Sequence, residues 1–184
     1  MSGDVQQAAE YSREAVRYLT DKNPFVQSLL SLEDSLYFIL SGDTSRAIEK
    51  LRETAQIARL ANNLLVLVVA NCQLAETLAL QGRLSQALVT LQKAHLAAIG
   101  PDGDPLPMAG IVDIEIGEIL YERDRLAEAK EHLERGIRLT KPWWSLSSLD
   151  GTIALARLLQ SQGDFEGSQA LVDEASQLAL GTES

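Results

Sequence analysis

Cysteine, proline and aromatic residues are all scarce in this chain of 184 residues. Cys72 is the single cysteine, so no disulfide can form within the chain, which is consistent with a reducing compartment. With 5 prolines and 46% hydrophobic residues, the composition is that of a folded protein rather than a disordered one. Aromatic residues make up only 5%, so the core must be built from aliphatic and small side chains.

Positive charge is also in short supply, with 16 Lys and Arg against 26 Asp and Glu and a net charge of −10. Binding to nucleic acid or to an anionic membrane requires basic patches, so the composition disfavours both partners. The most apolar run, residues 64–70, is too short to span a bilayer, and the N-terminus lacks the charged and apolar regions of a signal peptide. We therefore expect a cytoplasmic location, without direct contact to membrane or nucleic acid.

What the sequence does contain is a short turn signal that recurs five times, at intervals of 39, 40, 42 and 39 residues. The copies begin at Gly3, Gly42, Gly82, Asp124 and Gly163. A small residue follows each copy five positions on, at Ala8, Ala47, Ala87, Ala129 and Ser168. Another precedes four of them by seven positions, at Ser35, Ala75, Gly117 and Ala156. A period of this size predicts a helical-repeat solenoid, which offers an extended concave surface for binding.

Each repeat is predicted to form two amphipathic helices, A and B, joined at the turn signal, because apolar residues recur at spacings of three and four around Gly82. Glycine suits the left-handed position that ends helix A, and Asp43 and Asp164 suit the N-cap of helix B. The first copy supplies a B helix alone, at about residues 4–19. The predicted fold is all-α, a right-handed α-solenoid of TPR-like antiparallel helix pairs with about nine helices in a single domain, 1–184. Its repeats are a half repeat at about 1–22 and pairs at about 23–61, 62–100, 105–140 and 142–180.

The two ends of the repeat pattern lack the polar capping helices that a stand-alone solenoid carries. The pattern opens with an unpaired B helix and closes on the apolar residues Leu171, Val172 and Ala175. We therefore expect a segment of a longer polypeptide. The alternative is a small protein that covers its ends by dimerising.

A more specific pattern lies in the second half of the chain. Residues 110–126 read GIVDIEIGEILYERDRL and are followed by Ala129, Leu133 and Gly136. A second stretch runs from Asp150-Gly151 through residues 154–157, ALAR, to residues 162–164, QGD. Together these stretches resemble the TPR-like superhelical sensor domain of MalT-type, ATP-dependent LuxR-family transcriptional regulators. The resemblance is strongest from about residue 105 to residue 179, although the period is longer than the usual ~34 residues of TPR repeats.

This resemblance implies a non-catalytic sensor segment that receives a small-molecule effector or a regulatory protein and takes part in oligomerisation, including homo-oligomers. In that family an NTPase switch module precedes the segment and a helix-turn-helix DNA-binding module follows it. The present chain has no Gly-x-x-x-x-Gly-Lys-Ser/Thr motif, so ATP is expected only on a nucleotide-binding module outside it, and no cofactor in this segment. The alternative is a generic TPR scaffold that binds a peptide or partner protein and is unrelated to transcription.

The candidate ligand-binding residues lie on the inner face that the A helices present in TPR-type superhelices. The position six residues before each turn signal holds Leu36, Glu76, Glu118 and Arg157. The predicted binding set is Glu76, Glu118, Tyr121, Glu122, Asp150, Arg157, Trp143 and Trp144. Its charge suits a neutral polyol or a cation better than an anion, and the two tryptophans offer stacking faces. Two alternatives stay open: an ion pair between Glu118 and Arg157 that only aligns neighbouring repeats, and at least one tryptophan packed as structure.

No catalytic or metal-binding constellation is apparent in the sequence, and we predict that the segment is not an enzyme. His95 and His132 occupy non-equivalent repeat positions without further ligands at metal-binding spacing, so we expect ordinary surface or groove histidines. Cys72 lies among apolar residues and is expected to be a buried, inert thiol. The loop at residues 100–107 carries two carboxylates but lacks the ligand series of a calcium loop, so a plain connector is expected.

Overall fold

The computed structural model describes residues 23–143 and 145–181, and these ranges contain eight α-helices and no β-strand. The helices are α1 (Pro24–Leu40), α2 (Thr44–Leu60), α3 (Leu64–Leu80), α4 (Leu84–Ala97), α5 (Ala109–Glu122), α6 (Leu126–Thr140), α7 (Ser145–Ser161) and α8 (Phe165–Gly181). Odd-numbered helices are the predicted A helices and even-numbered ones the B helices. The all-α class and the pairing into A–B repeats are thus confirmed, while the predicted first B helix lies outside the described residues.

The chain forms two compact units, Met1–Ala70 and Asn71–Ser184. The first contains α1, α2 and the beginning of α3, and the second contains the remainder of α3 and the helices α4 to α8. Each unit is described by itself below. The single domain over residues 1–184 stays a prediction.

The turns between the A and B helices have the left-handed geometry that the sequence predicts. Gly42, Gly82 and Gly163 have φ values of 75°, 72° and 83°, and Asp124 takes the same conformation at 58°. In all four turns the next residue donates its N–H to a carbonyl oxygen five residues back, at 2.9 to 3.1 Å. This is the Schellman arrangement, which satisfies carbonyls at the end of a helix. The same Schellman turn therefore joins helix A to helix B in each described repeat.

Two of the four B helices begin with the predicted aspartate cap. Asp43 accepts a hydrogen bond from the backbone N–H of Arg46 at 3.1 Å, and Asp164 accepts one from Gly167 at 2.9 Å. At the equivalent positions of α4 and α6, Arg83 and Arg125 make no side-chain cap. The N-termini of α4 and α6 are therefore less well satisfied than that of α2.

In the first unit the small residues at the A–B contact are hydroxyl residues that bond to each other. Thr54 of α2 lies 2.7 Å from the hydroxyl of Ser31 and 3.0 Å from that of Ser35, both on α1. Asn63, just before α3, donates to the hydroxyl of Ser28 at 2.9 Å. All of these side chains are buried, so the unit combines an apolar core with a satisfied polar network.

In the second unit, glycines bring the A and B helices of the third pair into close contact. A Cβ atom built on Gly136 of α6 would lie 2.7 Å from the carbonyl oxygen of Gly110 and 2.7 Å from the side chain of Ile114, both on α5. On the next turn Leu133 fills the space beside Gly117. Glycine on one helix opposite a larger side chain on the other therefore allows α6 to pack closely on α5.

One large residue of the B helices differs from its equivalents in burial. Leu51, Leu91 and Leu133 are fully buried, whereas Val172, at the same repeat position in α8, is 45% exposed. Within the described residues α8 packs against α7 alone, whereas α6 packs against both α5 and α7. Val172 is therefore less covered by neighbouring helices than its equivalents are.

The connector between α4 and α5 folds back on itself. Gly100 donates its N–H to the carbonyl oxygen of Asp104 at 2.8 Å, and Leu106 donates to that of Ala98 at 2.9 Å. The segment is the connector that the sequence predicts. Across the described residues, no helix combines the length and the apolar character needed to cross a membrane.

Candidate functional site

Four carboxylates from three A helices share one surface of the second unit, which we call the acidic surface. They are Glu76 on α3, Glu115 and Glu118 on α5, and Asp150 on α7. Glu76 and Glu115 are hydrogen-bonded to each other, and the charges of Glu118 and Asp150 act on both. Residues up to 74 positions apart in the chain are thus brought into electrostatic contact.

The carboxyl pair at the centre of this surface, Glu76 and Glu115, lies in an environment that disfavours ionisation. Burial raises the pKa of Glu115 well above its usual range, and the charges of Glu76 and Glu118 raise it further. Burial also raises the pKa of Glu76, an effect that the hydrogen bond from Glu115 partly offsets. Because two carboxylates can bond to each other only when one keeps its proton, Glu115 is the donor and Glu76 the acceptor.

An arginine from α7 closes one side of the acidic surface. Arg157 donates from Nη2 to Oε1 of Glu118 at 2.6 Å, and its guanidinium carbon lies 6.0 Å from the centroid of the Tyr121 ring. The ion pair that the sequence suggested between neighbouring repeats is confirmed. Both side chains are about half exposed, at 54% for Arg157 and 41% for Glu118, so solvent screens the pair.

The Arg157–Glu118 ion pair does not neutralise the other carboxylates around it. Burial raises the pKa of Glu118, the contacts with Arg157 oppose this, and the charges of Asp150 and Glu122 raise it further. One arginine therefore faces an excess of carboxylates. The surface keeps a negative potential at neutral pH.

Six of the eight predicted binding residues belong to this surface or its rim: Glu76, Glu118, Tyr121, Glu122, Asp150 and Arg157. Trp143 lies in the turn before α7 and is 69% exposed, so it is not packed as structure. Trp144 lies outside the described residues. Whether any of the eight binds a ligand stays a prediction.

Sequence reasoning missed Glu115. Its neighbour Ile114 is buried and packs beside Gly136 and Gly151. Glu115 contributes to the surface instead, because it lies one helical turn before Glu118 on the same side of α5. The signal available in the sequence was this spacing of three residues.

Cys72 borders the acidic surface and is buried, as predicted. Burial raises the pKa of its thiol well above the usual range, and the carboxylates Glu115 and Glu76 raise it further. A thiol held in its protonated form is a poor nucleophile. The interpretation as an inert thiol fits this environment.

A second cluster of charged groups surrounds Asp113 of α5, and we call it the Asp113 hub. Arg135 of α6 donates from Nε to Oδ2 of Asp113 at 2.7 Å and from Nη2 to Oδ1 at 2.5 Å. Nδ1 of His132, also on α6, lies 2.9 Å from Oδ1. Nε2 of His95, on α4, lies 3.5 Å from the same oxygen. The Asp113 side chain itself is fully buried.

The two histidines were expected to be ordinary surface or groove residues, and the structure adds that both are partly buried and lie beside one buried carboxylate. Burial alone would raise the pKa of Asp113, but the hydrogen bonds from Arg135 and His132, together with the nearby His95 imidazole, outweigh it and hold the pKa far below the usual range. Asp113 is therefore ionised at any physiological pH. In the part of the chain that the structure describes, no group of three or more His, Cys, Asp or Glu side chains is arranged to hold a metal ion.

Helix pairs joined by Schellman turns at a period near 40 residues define a TPR-like helical-repeat protein, a scaffold class that is not usually catalytic. Solved structures support this class. BtubC from P. vanneervenii has a TM-score of 0.71 and 16% identity, over 100% of this chain and 76% of that one. A putative kinesin light chain from Podosopora anserina with nearly identical TPR-like repeats has a TM-score of 0.56 and 18% identity, and the match covers 98% of this chain and 90% of that one. The apo form of the quorum sensor NprR from B. thuringiensis has a TM-score of 0.55 and 16% identity, over 94% and 60%. At these identities the likeness concerns the fold alone.

Within this class the chain belongs to the family of MalT-like TPR regions, whose model matches residues 1–184. The HTH-type transcriptional regulator MalT of Yersinia enterocolitica is 24% identical over 182 residues, and that of Yersinia pestis is 22% identical over the same length. Both alignments cover 99% of this chain and 20% of the relative. The chain thus spans about a fifth of the length of the regulators that it matches.

Proposed function

We propose that this chain is the effector-sensing and oligomerisation segment of a signal-responsive, LuxR-family transcriptional regulator in the cytoplasm. The observation that supports the proposal most strongly is the match of the MalT-like TPR family to the whole chain, together with relatives that are HTH-type regulators. On this proposal the segment is non-catalytic. An NTPase module and a DNA-binding module belong to the parent protein, and ATP binds to the former.

The acidic surface is the proposed receiving site. Three consecutive A helices contribute to it, so a ligand that contacts Glu76, Glu118 and Asp150 at once touches three repeats. Such a ligand binds best to one arrangement of these helices and shifts the population towards it. The Arg157–Glu118 pair and the Tyr121 ring offer hydrogen-bonding and stacking contacts at the same place.

The charge of the surface restricts the chemistry of the ligand. An anion would have to approach several carboxylates with only Arg157 to balance it. A cationic ligand gains directly from the excess of negative charge, and a neutral polyol can accept and donate at the carboxylates and the guanidinium. A polyamine or a neutral oligosaccharide is therefore a suitable probe, and a phosphorylated sugar is the matched negative probe.

The test is calorimetric titration of these three probe classes into the chain and into two charge-reversal variants. Glu118→Lys alters the acidic surface, and Glu49→Lys, at an exposed position on α2 in the other compact unit, makes the same change in net charge elsewhere. We expect binding of a cationic or neutral probe to weaken about tenfold or more in Glu118→Lys and to stay unchanged in Glu49→Lys. Equal affinity for the two variants contradicts the assignment of this surface.

A further inference from the structure

The Asp113 hub connects helices from two successive repeats, and its three basic side chains differ in how closely they contact the Asp113 carboxylate. Arg135 contacts both carboxylate oxygens of Asp113, which is a bidentate pair. The charge of Asp113 is therefore balanced within the α5–α6 hairpin at every physiological pH. The two histidines are additional to that balance.

His132 is satisfied in either protonation state. Its Nδ1 lies 2.9 Å from Oδ1 of Asp113 and also 2.9 Å from Nη2 of Arg135. When Nδ1 carries a proton it donates to the carboxylate, and when it does not it accepts from the guanidinium. Loss of a proton from His132 therefore exchanges one hydrogen bond for another within the same hairpin.

His95 is placed differently. Its Nε2 is buried and makes no hydrogen bond, although Oδ1 of Asp113 lies only 3.5 Å away. A buried imidazole nitrogen without a partner is costly, and a small approach towards Asp113 would satisfy it. His95 also occupies the last turn of α4, where the helix dipole favours a cation. It is the residue through which α4 reaches the hub.

We propose that His95 is a protonation-controlled latch that ties α4 to the α5–α6 hairpin. In the charged form the imidazolium donates from Nε2 to Oδ1 of Asp113, which closes the latch. In the neutral form this contact carries no charge on the imidazole, so Nε2 donates at most a weaker hydrogen bond and α4 is tied less firmly to Asp113.

The other charged groups at the hub are consistent with this switch. Asp113 is the acceptor on α5, and on α6 the hub contains His132 and Arg135, with the charge of Glu131 acting on Arg135. From α7, which also packs against α5, no described side chain forms an ion pair or hydrogen bond with Asp113.

The test is backbone hydrogen–deuterium exchange of the full 184-residue chain at about pH 5.5 and about pH 8, with rates corrected for intrinsic exchange. In the wild-type chain we expect the amides in the C-terminal half of α4 to open roughly fivefold more often at the higher pH. His95→Gln, which is always neutral, should show the more open behaviour at both pH values. His95→Lys, which keeps a positive charge, should be protected at both.

Two outcomes would overturn the proposal. One is a pH dependence in α4 of His95→Gln equal to that of the wild type, since the titrating group would then lie elsewhere. The other is a His95→Lys variant that opens as readily as His95→Gln. Glu115→Gln serves as the control for carboxylates of the acidic surface, and the pH response of α4 should persist in it. The latch does not depend on the proposed sensor function, so failure of ligand binding leaves this experiment unaffected.

Discussion

Single residues decide how closely the helices of the second unit approach. Because Gly136 and Gly110 have no side chains, the backbones of α6 and α5 approach each other closely at this point, and the side chain of Ile114 fills the adjacent space. In the sequence, Gly136 appears only as part of the pattern that follows residues 110–126. Only the structure shows that this pair tolerates no Cβ atom at all.

The variant Gly136→Ala is therefore expected to destabilise the chain by about 1–3 kcal/mol, although alanine is the better helix former. The added Cβ would meet a carbonyl oxygen and an Ile114 side chain at 2.7 Å, and both belong to a packed helix. Urea denaturation measures the change. Gly167→Ala is the matched control, since its close neighbours are the exposed Asp164 carboxylate atoms, and its effect should stay within about 1 kcal/mol. Equal effects at the two sites would contradict this account of the packing.

At the scale of the helix, every described repeat has the same A–B turn, but its B helix begins in one of two ways. All four A–B turns contain the same hydrogen bond from the residue after the left-handed position. The following helix begins with an aspartate cap in α2 and α8, and with an arginine that makes no cap in α4 and α6. The helices with arginine lack a side-chain acceptor at the cap position.

We expect Asp43→Ala to lower the free energy of unfolding by about 1 kcal/mol and Arg83→Asp to raise it by about 0.5–1 kcal/mol. The first change removes the bond to Arg46, and the second supplies the missing cap at α4. Thermal unfolding at neutral pH, supported by helical content from circular dichroism, would detect both shifts. An unchanged or lower stability of Arg83→Asp would show that the arginine contributes more at this turn than a cap does.

At the scale of the whole molecule, the two faces of α5 respond oppositely to pH. The carboxyls of Glu115, Glu76 and Glu118 have raised pKa values when folded. Their contribution to stability is fully present below the pH at which they ionise when unfolded, and it is lost as the pH rises through the raised values. Asp113 has a lowered pKa, so its contribution is present above the usual range of aspartate and declines only in acid.

The chain is therefore expected to be most stable in mild acid and to lose stability towards neutral pH. Glu115→Gln keeps a hydrogen-bond donor for Glu76 and removes the ionisation, so it should reduce this decline and stabilise the fold at pH 7 by about 1 kcal/mol. Chemical denaturation between about pH 4.5 and pH 8 checks the sign and the slope. A slope equal to that of the wild type would mean that Glu115 does not retain a proton at neutral pH.

The sequence by itself determined the elements of this protein: the helix pairs, their turns and the small residues that flank each turn. These features are local, since a glycine followed by an aspartate and an apolar spacing of three and four act within a few residues of the chain. The sequence also indicated that Glu76, Glu118 and Arg157 lie on the same surface, because residues at one repeat position fall on one side of successive A helices. The ion pair between Glu118 and Arg157 was predictable for the same reason.

Only the tertiary structure decided which ionisable groups meet. Asp113, His95 and His132 occupy different positions in their repeats, so periodicity does not connect them, yet the packing of α4, α5 and α6 places them around one buried oxygen. Glu115 likewise joins Glu76 across two helices that the chain separates by a whole repeat. Burial and these neighbours then shift the pKa values of Asp113 and Glu115 in opposite directions, because the energy of a desolvated charge depends on the groups that the fold places beside it.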